Sequence, residues 1–358
     1  MKSTRGTTPN SRNLAGTDEI PLWVADMDFP VAPAITAALT ARLQHPIFGY
    51  SSVPDRYPEA FCRWQREHNG WDIDPEHLII LPSVMQGLAV AIEAFTAPGD
   101  RIGVVSPVYF PFFDVVEELG HVAVRMPLRI ENPAPGAGPA VSPRYTFDFD
   151  VIREQIGSVQ AVLLCSPHNP GGRVWSRDEL STLREITTAA GVRVLSDEIH
   201  SDLLFPKTTF VPWLRSDSPA PAHSRDSADI AFLAPSKTFN IPGLPTAWAI
   251  APDPETRATL KAALHARMHK LSNLLTMEAA LAAYSGAGAW LEEIKTVLGE
   301  RYTTVKTAME PIDGARVFAM EGTFIAWIDL RERWGIPRRT QFDAATGREQ
   351  IPSPRSRA

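Results

Sequence analysis

AVLLCSPHNPGGRVWSRDELSTLREITTAAGVRVLS, residues 161–196, is the stretch on which the fold turns. It opens with five apolar residues, passes through a Pro-Gly turn, carries a helical pattern over 176–190 and ends in a second apolar run at 192–196. An unbroken apolar run, rather than an alternating one, is what a strand buried on both faces requires. The same unit recurs outward in both directions. HLIIL (77–81) and RIGVV (101–105) precede helical patterns at 84–96 and 111–119, while DIAFLA (229–234) and TAWAIA (246–251) add two further strands. That order predicts an α/β fold, a mainly parallel sheet covered by helices. Two helices, over 33–44 and 55–68, come before it, and the pattern turns mainly helical from about 254 to 309.

With 358 residues, two domains are expected. The spacing predicts an N-terminal arm and first helix (1–45) joining the smaller domain, and a large domain over 46–252. A smaller α+β domain over 253–330 follows, incomplete as it stands, with a disordered tail over 331–358. That tail has seven arginines, three prolines and no sustained apolar period. The Pro- and Gly-rich stretch 129–147 reads as an exposed loop with no catalytic duty.

A net charge of −6 leaves no basic footprint for nucleic acid. Cys62 and Cys165 are far apart and lack metal-ligand spacing, so neither a disulfide framework nor a zinc site is expected, and a reducing cytoplasm fits. The polar N-terminus has no apolar signal core, and no stretch reaches the roughly 18 apolar residues of a membrane helix.

Chemistry gathers at the strand ends. Lys237, in LAPSKTFNIPGL, follows one apolar run and precedes another. An amine partly removed from water there has a lowered pKa and can form a Schiff base. Asp197 ends the strand VRVLSD, where a carboxylate needs a partner. Asn169, in SPHNPGG, offers an amide donor, and Tyr109, after RIGVV, a ring for stacking. Ser83 stands before a helix that opens at Val84 and Met85, whose unpaired N–H groups suit a phosphate. Each signal taken alone has an ordinary explanation: a surface lysine, a capping aspartate, a Pro-Gly turn, a core tyrosine, a serine N-cap. Taken as an ordered set they meet the needs of pyridoxal 5′-phosphate (PLP): a covalent anchor, a carboxylate for the pyridine nitrogen, a donor for the phenolate oxygen, a stacked ring and a phosphate cup.

The motifs PLWVADMDFP, SPHNPGG, SDEIHSDL and APSKTFNIPGL closely resemble those of the MalY/PatB group of fold-type-I enzymes, cystathionine β-lyases and cysteine-S-conjugate β-lyases, from about Gly6 to Arg331. The resemblance implies the fold-type-I PLP-dependent transferase fold. It makes Lys237 the cofactor lysine and general base, with Asp197 on the pyridine nitrogen, Asn169 on the phenolate oxygen and Tyr109 on the ring. Ser83, Val84, Met85 and Ser236 form the phosphate cup, and Tyr50, in FGYSSVP, reaches the phosphate of a second copy in a homodimer. Many aminotransferases place a tyrosine three residues after the aspartate, where this chain has His200, a further cofactor contact. Many also carry a phosphate-binding arginine a few residues after the lysine, where this chain reads NIPGLPTAWA.

The resemblance also implies an arginine in an R-x-N-type motif, beyond the strand TFIAWIDLR, that pairs with the substrate carboxylate. Residues 331–358 contain nothing matching it. The function that the resemblance implies is PLP-dependent α,β-elimination from an amino acid with a sulfur leaving group on Cβ, such as L-cystathionine. An aminotransferase on the same scaffold, or a truncated relative that binds PLP with little turnover, stands as the alternative.

Overall fold

The structure is a computed structural model and describes residues 25–133, 142–215, 228–267 and 273–334. Two helices come first, α1 (Pro33–Leu43) and α2 (Arg56–Asn69), the second stopped by Gly70 in the left-handed region. The alternating body follows: β1 (Leu78–Leu81), α3 (Val84–Phe95), β2 (Arg101–Ser106), α4 (Pro111–Glu118), β3 (Val122–Pro127), β4 (Arg129–Glu131), β5 (Arg144–Thr146) and α5 (Phe149–Ile156). It continues as β6 (Ala161–Cys165), α6 (Arg177–Ala190), β7 (Arg193–Asp197), β8 (Ile230–Leu233), the single turn α7 (Pro235–Thr238) and β9 (Ala247–Ile250). Then come α8 (Pro254–Ala266), α9 (Leu274–Gly286), α10 (Gly288–Met309), β10 (Arg316–Val317) and β11 (Ile328–Asp329).

The main sheet has the order β1-β9-β8-β7-β6-β2-β3. Only β9 runs against its neighbours; β8, β7, β6, β2 and β3 pair in parallel. Residues of β6, β8 and β9 are buried throughout, which is why these strands read as unbroken apolar runs. Helix α6 shows how locally the connections are written. Ser176 and Glu179 close a reciprocal capping box at its start, and Gly191, at φ 67°, ends it.

One face of the sheet is covered by α3, α4 and α8, with Leu88, Ile92, Phe112 and Leu260 at the core. The other carries α5 and α6, with Trp175 and Trp213 fully buried. A third core joins α1, α2, α9 and α10 around Trp64, Phe61 and Trp248, the last two rings stacked at 5.0 Å.

Several expectations change. The stretch 129–147 is not simply an exposed loop: its ends pair as the antiparallel ribbon β4–β5, tied by an Arg144–Glu131 ion pair, with Tyr145 buried beneath it. Helix α8, expected to open the smaller domain, packs on α3 in the core of the main sheet. Phe324, Ala326 and Ile328, in the last strand-like stretch before the tail, are half-buried, where a smaller domain incomplete as expected would leave such an apolar face or its opposite exposed. The tail expected to be disordered lies, from residue 335, outside the described residues.

Residues 321–323 are stapled to the sheet's loops. Glu321 and Gly322 donate their N–H groups to the Gly172 carbonyl at 2.8 and 3.0 Å, and Thr323 donates to Leu203 O at 2.7 Å. Arg173, itself buried, clasps the Glu321 carboxylate at 2.8 Å. The next residue along, Phe324, is thereby brought to the site.

Candidate active site

Because β9 is antiparallel, the start of β9 and the carboxyl ends of β1, β2, β6, β7 and β8 share one edge of the sheet. A cavity of about 390 Å³ lies there, lined by Ser83, Val84, Met85, Tyr109, Asn169, Asp197, His200, Ser236 and Lys237. Nine of the ten sequence-predicted residues thus meet in one place. Tyr50 does not: it is 98% exposed and stands outside the cavity.

Ser83 is the N-cap of α3 and accepts from Gln86 N–H at 3.2 Å, so its cap does not use the first-turn amides of Val84 and Met85, both residues of the cavity wall. Tyr109 and Asn169 are held together through backbone, Tyr109 N–H donating to Asn169 O at 3.0 Å. Their loops are further bridged by buried His168, whose Nε2 meets Pro107 O at 2.8 Å while its Nδ1 accepts from Gly171 N–H. Burial holds the His168 pKa down to about 4, so the bridge is a neutral imidazole.

Asp197 is 5% exposed, and burial pushes its carboxyl up to about 7, against the pull of Ile199 N–H and of Lys237. Next to it, Glu198 is fully buried and raised by burial to about 8; one oxygen accepts from Ser196 and Trp213, and the other has no partner among the described residues. His200 is 1% exposed, its Nδ1 has no partner among the described residues, and burial together with the Lys237 charge lowers it to about 3. Lys237 is lowered by burial, a shift opposed by Asp26 and Asp197. Its amine donates to Ala25 O at 2.6 Å and lies 5.9 Å from the Phe324 ring centre.

The turn carrying Lys237 is pinned from below. Asp202 accepts from Thr238 Oγ1 at 2.8 Å with one oxygen and from Trp64 Nε1 and Asn69 Nδ2 with the other. Sequence reading missed this network. It also missed Ala25, Asp26, Phe110, Cys165, Ile199, Ala234, Pro242, Pro245 and Thr246 in the cavity wall. The signal lay in motifs already quoted: PLWVADMDFP contains Ala25 and Asp26, SDEIHSDL contains Ile199 and Asp202, and APSKTFNIPGL contains Ala234, Thr238 and Pro242.

These buried acids set a pH dependence. The unfolded chain ionises Asp and Glu near pH 4, whereas the folded chain keeps Asp197 and Glu198 protonated to about 7 and about 8. The folded state then binds more protons, so stability falls as pH rises. His168 and His200, depressed in the fold, act in the opposite sense, but only below the ordinary histidine value of about 6.5. The thermal midpoint of the ligand-free protein is therefore expected to drop between pH about 6.5 and about 8. A midpoint that is flat or rises over that window would show both carboxyls already ionised in the fold.

Residues 17–345 match the aminotransferase class I and II family, and the chain belongs to it. Within the family it is similar to carbon–sulfur lyases in particular. It is 37% identical over 319 residues to cystathionine beta-lyase PatB of Bacillus subtilis, covering 88% of this chain and 78% of that protein. It is 30% identical over 320 residues to protein MalY of Escherichia coli, covering 88% and 77%. The PLP-bound C-S lyase from Staphylococcus hominis superposes with a TM-score of 0.81 at 28% identity, over 92% of this chain and 82% of that one.

The residues present suit PLP. A buried carboxylate whose ionised form is unfavourable alone, an amine with a depressed pKa, and a capped helix start line one cavity, and each supplies what one part of that cofactor lacks. Among the described residues lining the cavity there is no arginine. The arginines at 338, 339, 348, 355 and 357 lie outside the described residues.

Proposed function

We propose that the protein is a PLP-dependent carbon–sulfur β-lyase that cleaves an amino acid with sulfur on Cβ, such as L-cystathionine, to a thiol, pyruvate and ammonia. The observation that carries this reading is the convergence of Lys237, Asp197, Asn169, Tyr109 and Ser83 on one cavity in a chain similar to C-S lyases. When bound, the cofactor would supply an electron sink for the pair left at the substrate Cα once its proton is removed.

The side chains divide the remaining work. Lys237 would hold the cofactor and, once displaced by the substrate amine, take the Cα proton on its nitrogen, a task suited to an amine already lowered by burial. Asp197 would hold the proton on the pyridine nitrogen, gaining the cation that its buried site lacks. Asn169 would donate to the phenolate oxygen and Tyr109 would cover one ring face. The first-turn amides of α3, with Ser83 and Ser236, would bind the phosphate. Neutral His200 would close the cavity beside Lys237 and add no charge to compete with the base.

Pyruvate release from L-cystathionine by the purified, PLP-supplemented protein is the direct test. Amino-group transfer to an added 2-oxo acid without pyruvate release would replace the lyase reading by that of an aminotransferase.

Assembly as a homodimer belongs to the same reading. Leu43, Ile47, Phe48 and Tyr50 stand exposed together on and just after α1, and Phe110, at the cavity mouth, is 70% exposed. Apolar exposure of this kind is characteristic of a contact surface. Light scattering at micromolar concentration is expected to give twice the chain mass, and a PLP-loaded monomer would remove Tyr50 from the site.

A further inference from the structure

The loop that follows Lys237 grips the segment lying across it. Asn240 sits at φ 56°, in the left-handed region, and its side-chain amide reaches residues more than two hundred positions earlier in the chain. Its Oδ1 accepts from Met27 N–H at 3.0 Å, and its Nδ2 donates to Met27 O at 2.8 Å and to Phe29 O at 2.9 Å. The orientation of the amide is unambiguous, because a backbone N–H can only donate and the two carbonyls can only accept. Two residues before Met27, Ala25 O receives the Lys237 amine at 2.6 Å. Ala25, Met27, Asn240 and Lys237 thus close a ring in which a side chain three residues beyond the lysine fixes the carbonyl to which the lysine donates. Met27 is buried, so the segment is also held by packing, to which Asn240 adds three directional hydrogen bonds that bear on its register along the chain.

We propose that Asn240 is a positioning residue for Lys237: by fixing the segment 25–29 it places the Ala25 carbonyl so that the free lysine amine spends one N–H on it and turns its lone pair toward the substrate Cα. The proposal rests on the lyase reading above for the identity of the substrate. In the step concerned, the substrate Cα–H bond breaks and a new N–H bond forms on Lys237, the C–H electron pair staying with the substrate carbon. Because a base displaced by as little as an ångström loses much of its efficiency, the orienting carbonyl acts on the proton transfer and not on substrate affinity.

An asparagine at positive φ has a second explanation, since Asn and Gly both tolerate that backbone. Asn240→Gly separates the two. It satisfies the backbone at no cost and removes all three hydrogen bonds. Asn240→Asp is the companion variant, because it retains the acceptor for Met27 N–H but offers no donor to the two carbonyls.

Two measurements are made on each. With L-cystathionine carrying deuterium at Cα, kcat is expected to fall at least about tenfold, KM to change by less than about twofold, and the isotope effect on kcat to rise. In the cofactor-free protein, an Asp-specific protease is expected to cut at Asp26 or Asp28 at least about tenfold faster, since each lost hydrogen bond had made opening of the segment rarer. Wild-type behaviour of Asn240→Gly in both measurements would assign the residue to its backbone conformation alone and overturn the proposal. A fall in kcat without faster cleavage would also overturn it, because Asn240 would then not act through the segment. An inactive wild-type protein whose Asn240→Gly variant still loses protection at Asp26 and Asp28 would fault the lyase reading and leave the gripping role standing.

Discussion

Lys237→Ala is expected to abolish the covalent adduct that borohydride reduction fixes between protein and PLP, and to lower turnover at least about a thousandfold. The size of the effect follows from two duties on one atom. Among the described residues the amine is the only one on the cavity wall, and its neighbour His200, though neutral, is held near 3 by burial and the adjacent charge, too weak a base to replace it. PLP is expected to remain associated with the variant through Asp197 and the start of α3, so the solution stays yellow while the trapped adduct disappears. Mass analysis of the reduced, digested protein decides it. An adduct persisting on another lysine would move the anchor, and with it the catalytic assignment.

Asp197→Asn is expected to keep the fold and the cofactor while lowering kcat by about a hundredfold, the effect of removing about 3 kcal/mol of charge pairing from a buried site. The amide is nearly the size of the acid and can still receive Ile199 N–H at its oxygen, as the carboxylate does at 3.0 Å. What it cannot do is hold a proton on a ring nitrogen by charge. The same substitution gives an independent check in the ligand-free protein. With Asp197 gone, only Glu198 among this pair is left to ionise, and because its value is the higher it carries the larger share, so the drop in thermal midpoint between pH about 6.5 and about 8 should shrink to about two-thirds. Unchanged turnover with an unchanged pH profile would make Asp197 a structural cap.

Half of the cavity lining could be read from the sequence because those residues sit at strand ends, and strand ends are marked locally. Cys165, Asp197 and Leu233 each close an apolar run, and Asn169, His200 and Lys237 follow within four residues. Features that depend on pairing between distant segments left no local mark. TAWAIA reads the same whichever way the strand runs, so the reversal of β9 was invisible, and with it the entry of Pro245 and Thr246 into the cavity wall. The ribbon β4–β5 pairs three-residue strands across a Pro- and Gly-rich stretch, too short for any periodicity. Helix α8 has the amphipathic pattern of any surface helix, and the pattern names no partner. The grip of Asn240 on Met27 and Phe29 spans over two hundred residues with a single side chain, a contact for which no spacing rule exists.

Strands β8 and β9 are hydrogen-bonded neighbours running in opposite senses, so the segment 234–246 leaves the sheet and returns to it at the same edge. Between those two fixed points it is tied again by Phe239 N–H to Pro235 O, Ile241 N–H to Ser236 O and Leu244 N–H to Ile241 O. A short excursion anchored at both ends has few conformations left to lose. The entropic cost of placing Lys237 is met when the sheet forms, not when a ligand arrives, so the site is preorganised and association should show little of the heat-capacity signature of coupled ordering. The same closure makes the stretch intolerant of length change. An inserted residue between Phe239 and Leu244 cannot be absorbed by a free end, and would rotate the lysine out of the cavity while leaving both flanking strands in register.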